Sequence, residues 1–101
     1  MFQPDLLAGK RILITGGGTG LGKSIGWRYA ELGAHLIICG RRAEVLTQTA
    51  GEIQQAVGHA VESHVVRDAP AVEAMFDRIW EGGPLDVLVN NAAGNFLART
   101  E

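Results

Sequence analysis

The chain is short of several features that would each define a class. It has one cysteine in 101 residues, which excludes an internal disulfide framework and a cysteine-built zinc site. It has no excess of charge of either sign: 9 Lys plus Arg against 11 Asp plus Glu give −2. Lys and Arg are scattered, apart from the pair Arg41-Arg42. A protein that binds nucleic acid electrostatically would show a basic excess. No apolar run approaches the roughly 20 residues of a membrane-spanning helix. The first ten residues, MFQPDLLAGK, carry a Pro and an Asp and lack the long apolar region of a secretory signal. A reduced, soluble protein of the cytoplasm is expected, with neither nucleic acid nor membrane as partner. His35, His59 and His64 do not fall at ligand spacing with carboxylates, so no metal site is expected. At 47% apolar and 20% charged, the chain is neither disordered nor fibrous. Its length allows one domain of modest size. What it has in excess is glycine: 14 residues, about twice the usual share of roughly 7%. Five of these lie between positions 16 and 22.

Around that cluster the apolar pattern predicts alternating strands and helices. Residues 11–15 (RILIT) and 35–39 (HLIIC) read as short buried strands. Residues 60–66 and 85–90 (LDVLVN) read as a third and a fourth strand. A helix is expected over 20–32, with Leu21, Ile25, Tyr29 and Leu32 on one face and Gly33 as its stop. A second is expected over 43–57, with Val45, Leu46, Thr49, Ile53 and Val57 at helical spacing and Gly58 closing it. A third is expected over 69–80, its stripe made by Val72, Met75, Phe76, Ile79 and Trp80, broken by Gly82-Gly83-Pro84. Trp27 and Trp80 read as core. The order β-α-β-α-β-α-β demands right-handed crossovers and an α/β fold with a parallel sheet covered on both faces. There is no internal repeat and no linker.

The glycine turn, Thr15-Gly-Gly-Gly-Thr-Gly-Leu-Gly22, joins the first strand to the first helix. A phosphate that approaches backbone closely is obstructed by a Cβ, and glycine also reaches positive φ. The helix start then offers free N–H groups and the positive end of its dipole. A purely structural turn is the plain alternative. A second is a triphosphate loop, because Gly17-x-x-x-x-Gly22-Lys23-Ser24 matches G-x-x-x-x-G-K-[ST]. The end of the second strand, Cys39-Gly-Arg-Arg42, bears on the choice. In dinucleotide folds this position meets the adenosine ribose, an acidic residue taking the 2′-OH and an arginine the 2′-phosphate. Here there is no acid, and two guanidiniums follow. Cations at a helix start oppose its dipole unless an anion offsets them. The pair therefore points to NADP(H) over NAD(H). Cys39 reads as a small buried hydrophobe, although a thiol beside two arginines would gain thiolate character.

Thr15-Gly16-x-x-x-Gly20-x-Gly22, together with Asn90-Asn91-Ala92-Ala93-Gly94 after the fourth strand, resembles the short-chain dehydrogenase/reductase family. The resemblance covers essentially the whole chain and disfavours the triphosphate loop. More narrowly, the stretches TGGGTGLGK and NNAAGNF look like the 2,4-dienoyl-CoA and trans-2-enoyl-CoA reductase branch. The resemblance implies a Rossmann-type doubly wound sheet of strand order 3-2-1-4, the N-terminal part of a single dinucleotide-binding domain over 1–101. It implies that Gly16, Gly20 and Gly22 line the pyrophosphate, with Gly18, Thr19 and Leu21 in the same loop and Thr15 fixing the turn. Arg41 would meet the 2′-phosphate, with Arg42 nearby. Asn90 would tie the central strands, and the backbone of Asn91, Ala92, Ala93 and Gly94 would pass the adenosine side. Asn95 would lie near the nicotinamide and the acyl thioester. The complete protein would be a homo-oligomeric reductase of an enoyl-CoA, a 2,4-dienoyl-CoA or a carbonyl compound.

Two departures from the family pattern matter. The acid that usually follows the third strand is replaced by Val65, so the adenine contact is either lost or taken by Asp68. The family's Ser and Tyr-x-x-x-Lys are absent: the sole tyrosine, Tyr29, is followed four residues on by Gly33. Tyr29 is expected to pack, and the chain alone to be marginal in stability, prone to aggregation through the edge of its fourth strand, and catalytically silent. A stand-alone nucleotide-binding or regulatory module, or a 3-oxoacyl or sugar reductase of the same family, are the competing functions.

Overall fold

The computed structural model describes residues 6–16, 18 and 20–91. Along them β1 (Arg11–Thr15), α1 (Gly20–Glu31), β2 (His35–Gly40), α2 (Ala43–Val57), β3 (Glu62–Val65), α3 (Ala69–Glu81) and β4 (Val87–Asn90) alternate. The four strands are parallel in the order β3-β2-β1-β4. This is the doubly wound, Rossmann-type arrangement expected from the sequence.

Alternation along the central strands builds the core on both faces. Ile12, Ile14, Leu36 and Ile38 meet Ala30 of α1 and Leu46, Ala50 and Ile53 of α2 on one side. Leu13, Ile37 and Cys39 meet Val72, Met75 and Ile79 of α3 on the other. Successive strand side chains point to opposite faces, so an unbroken apolar run such as LIIC serves two layers at once.

Each helix is bounded by local chemistry. The Asp68 carboxylate accepts from the Ala71 amide at 2.9 Å and caps α3. Pro70 follows in the first turn, where its missing N–H costs nothing. At the other end of α3 the Arg11 guanidinium donates to the carbonyls of Ile79 and Gly83. A cation there suits both the orphan carbonyls and the dipole. Gly58 closes α2 through its N–H to Gln54 O at 2.8 Å.

Four expectations are corrected. The buried face of α1 is Gly22, Gly26 and Ala30, whereas Leu21 is 66% exposed. Small residues at i, i+4 and i+8 let the helix axis approach the sheet: a Cβ on Gly26 would lie 3.1 Å from Leu36 Cδ2. Trp80 is 53% exposed and is not a core residue, whereas Trp27 is partly buried and packs against the core. The third and fourth strands are shorter than expected, Glu62–Val65 and Val87–Asn90, with Val66 and Asp86 each adding one backbone bond to the neighbouring strand, to Gly40 O and Arg11 O. Strand β4 lies at the sheet edge, with Val87 and Leu88 41% and 48% exposed.

The histidines supply the fourth correction. His35 and His64 converge on one carboxylate, with Nε2 atoms 3.2 Å and 2.6 Å from the two Glu62 oxygens. The β2–β3 register, which sets Ile37 opposite Glu62 and Cys39 opposite His64, places all three on one face. Spacing in sequence does not show a cross-strand cluster. Among the described residues no group of three or more His, Cys, Asp or Glu is placed to hold a metal ion.

Candidate functional site

Parallel strands end at one edge of the sheet, and the register lines their C-terminal ends up. Thr15 lies opposite Cys39 on one side and Asn90 on the other, and Gly40 lies opposite Val65. The glycine turn, Arg41-Arg42, Asp68 and Asn91 all leave the sheet at this edge. The chain winds outward in opposite directions from β1, toward β2 and toward β4. Ligands of open α/β sheets bind outside the strand ends at such a switch point.

Thr15 anchors the turn. It is fully buried, its hydroxyl lies 3.1 Å from Asn90 Oδ1, and it accepts the Asn91 amide at 2.7 Å. One hydroxyl thus joins the end of β1 to the end of β4. Gly16 continues the ladder through its N–H to Cys39 O at 2.9 Å. It then reverses the chain at φ 68°, a conformation that disfavours side chains. Gly22 is buried against this turn: a Cβ would stand 2.3 Å from Gly16 O and 2.7 Å from Asn91 Nδ2. Helix α1 begins here with no acidic residue in its first turn. Its N-terminal amides therefore face the edge without a carboxylate from their own turn, unlike those of α3.

The rest of the predicted set is distributed as follows. Arg41 and Arg42 are exposed at the start of α2, and Arg42 occupies the N-cap position without a side-chain cap. Neither guanidinium has an ion-pair partner among the described residues. Gly18 lies in the turn, and Gly20 and the exposed Leu21 open α1. Asp68 has one oxygen committed to the α3 cap. Thr19, Ala92, Ala93, Gly94 and Asn95 lie outside the described residues.

Three neighbours refine the picture. Lys23, which a triphosphate loop would aim at phosphate, is held by Glu52 of α2 at 2.7 Å. The hydrogen bonds from Lys23 and Gln48, and then the Lys23 charge, hold the Glu52 carboxyl below its ordinary value. Cys39 is fully buried, and burial pushes its thiol up to about 12, which overturns the thiolate expectation despite the adjacent arginines. Thr49 belongs to the apolar stripe of α2, yet its hydroxyl donates to Gly18 O at 2.7 Å. The signal was present in the sequence, as a hydroxyl between Leu46 and Ile53 on a buried face.

A glycine turn at a helix start, at the switch point of a parallel sheet, defines a Rossmann-type α/β protein. The profile of the short chain dehydrogenase family matches residues 10–101, and the chain belongs to that family. It is 48% identical over its whole length to a probable 2,4-dienoyl-CoA reductase 3 of Caenorhabditis elegans, covering 34% of that protein. It is 42% identical over 99% of its length to a peroxisomal 2,4-dienoyl-CoA reductase of Arabidopsis thaliana, again covering 34%. A short chain dehydrogenase from Shigella flexneri complexed with NADP superimposes with a TM-score of 0.83 at 30% identity, over 89% of this chain and 40% of that one. The chain spans about a third of the length of the curated relatives it matches.

Proposed function

We propose that this chain is the dinucleotide-binding part of an NADP(H)-dependent reductase of unsaturated acyl-CoA thioesters. One observation carries the reading: the β1–β2 register brings the glycine turn and Arg41-Arg42 to the same edge of the sheet, where neither guanidinium has an ion-pair partner among the described residues. The fit of a dinucleotide rests on this structure itself. The close packing of Gly22 against the Gly16 carbonyl shapes the turn at the start of α1, and two guanidiniums stand at the start of α2 where only Glu44 lies in the first turn to offset them.

Gly16, Gly18, Gly20 and Gly22 would hold the pyrophosphate with the α1 amides, and Arg41 and Arg42 the 2′-phosphate through planar, charge-assisted bonds. Thr15 and Asn90 keep the two central strand ends in register, and Asn91 bounds the crevice between them. Asp68 retains one carboxylate oxygen for the adenine amine. When bound, the cofactor supplies a hydride. Tyr29 is partly buried against the core and serves packing rather than proton donation.

The substrate assignment draws on the names of the similar proteins. The test is NADPH oxidation by the intact protein with a 2,4-dienoyl-CoA, a trans-2-enoyl-CoA, a 3-oxoacyl thioester and a sugar. Turnover confined to the first two supports the reading. Turnover confined to the others moves the protein to another branch, and binding without turnover of any makes it a regulatory module. Among the described residues no helix is long and apolar enough to cross a membrane. We place the protein in the cytoplasm. Punctate peroxisomal staining of a tagged protein, the location named for the Arabidopsis relative, would replace that assignment.

A further inference from the structure

Thr15 and Thr49 are the two buried polar residues among the described ones, and both bond at the glycine turn. Thr15 leads into it in sequence. Thr49 reaches it from 31 residues away. A buried hydroxyl without a partner is costly. A helical threonine ordinarily finds one in the carbonyl four residues back. Thr49 instead donates outward, to Gly18 O at 2.7 Å. The same face of α2 closes on the turn elsewhere: a Cβ on Gly18 would meet Val45 Cγ1 at 3.0 Å and Leu46 Cδ2 at 3.5 Å. One turn further on, Glu52 holds Lys23 of α1. The glycine turn is therefore seated on α2, with the Thr49 hydrogen bond at the centre of the seat.

We propose that Thr49 is a positioning residue for the dinucleotide pyrophosphate. In a planar trans peptide the carbonyl and the N–H of one unit point in opposite directions. Anchoring the Gly18 carbonyl to α2 thus fixes the peptide plane of the turn at Gly18. The bond also ties the pyrophosphate cradle to the helix that starts at Arg41-Arg42, so both phosphate sites ride on one rigid element. This rests on the dinucleotide reading above. It adds a residue that touches no phosphate and serves NADPH and NADH alike, because both carry the pyrophosphate.

The test compares Thr49→Val, which keeps the shape and removes the donor, with Thr49→Ser, which keeps the donor. NADPH and NADH are titrated separately into the intact protein. Thr49→Val is expected to weaken both by about tenfold, the consequence of one buried carbonyl left unpaired. Thr49→Ser is expected to restore wild-type affinity. Unchanged affinity in Thr49→Val, loss of NADPH alone, or no rescue by serine overturns the proposal. If the wild-type protein binds neither dinucleotide, the functional reading fails, and amide exchange over 16–22 in the ligand-free protein still decides the positioning role. Faster exchange in Thr49→Val than in Thr49→Ser supports it, and equal exchange overturns it.

Discussion

Replacing Gly22 with alanine sets two effects against each other. Gly22 lies in the first turns of α1, where alanine is intrinsically better by about 1 kcal/mol. Sequence reasoning alone would therefore predict a gain in stability. The structure predicts a loss. A Cβ would lie 2.3 Å from Gly16 O and 3.0 Å from Gly16 C. Both are backbone atoms with no rotamer to move. Reaching ordinary contact needs about 1 Å of displacement in the turn or in α1, and forced overpacking costs about 1–3 kcal/mol. The 2.3 Å approach to backbone places the steric cost at the upper end of that range, and Gly22→Ala is expected to lose up to about 2 kcal/mol in urea unfolding. Because the turn must open, affinity for NADPH is expected to fall at least about tenfold. Gly51 provides the control. It sits in α2 with nothing within 4 Å of its ideal Cβ, so Gly51→Ala is expected to gain about 0.5–1 kcal/mol. A Gly22→Ala protein as stable as wild type, with unchanged affinity, would refute the cradle geometry.

Two further outcomes follow from buried and paired ionisable groups. Cys39, with its thiol pushed up to about 12 by burial, is expected to resist a thiol reagent at pH 8 in the native protein and to react fully in denaturant. Equal rates in the two states would show that the site is open. Burial raises the Glu62 carboxyl, but its bonds to His64 and His35 and their charges outweigh this, and the net shift is downward. A depressed carboxylate contributes stability above its unfolded value, and that contribution is lost as pH falls through its folded value. Glu62→Gln is thus expected to be less stable than wild type at pH 6, with the gap closing as the pH is lowered through the folded-state value. A gap that persists at the lower pH would mean that packing, not charge, carries the effect.

Much of the framework was legible in the chain. Runs such as RILIT and HLIIC are too short for helices and too apolar to face water, and Gly58 and Gly82-Gly83-Pro84 end helices by plain stereochemistry. The turn stands out because five glycines crowd seven positions between a strand and a helix, and the Arg pair because no other two arginines are adjacent in the chain. What stayed hidden depends on three-dimensional approach. The buried face of α1 is made of Gly22, Gly26 and Ala30, which carry almost no hydrophobic signal, while the conspicuous Leu21 points outward. Strand register, not spacing, gathers His35 and His64 around Glu62. The partner of Thr49 is a backbone carbonyl, and a sequence says nothing about where a distant carbonyl points.

The account stands most directly on the two exposed guanidiniums at the end of β2. Titration of the intact protein with NADPH and NADH, in wild type and in Arg41→Ala, isolates what the 2′-phosphate contributes. A charge-assisted phosphate contact of about 1.5–3 kcal/mol corresponds to roughly ten- to a hundredfold. Wild type is expected to favour NADPH by at least the lower figure, and Arg41→Ala to lose most of that margin while its affinity for NADH is unchanged. Equal affinities in wild type, or a preference that survives the substitution, would contradict the assignment.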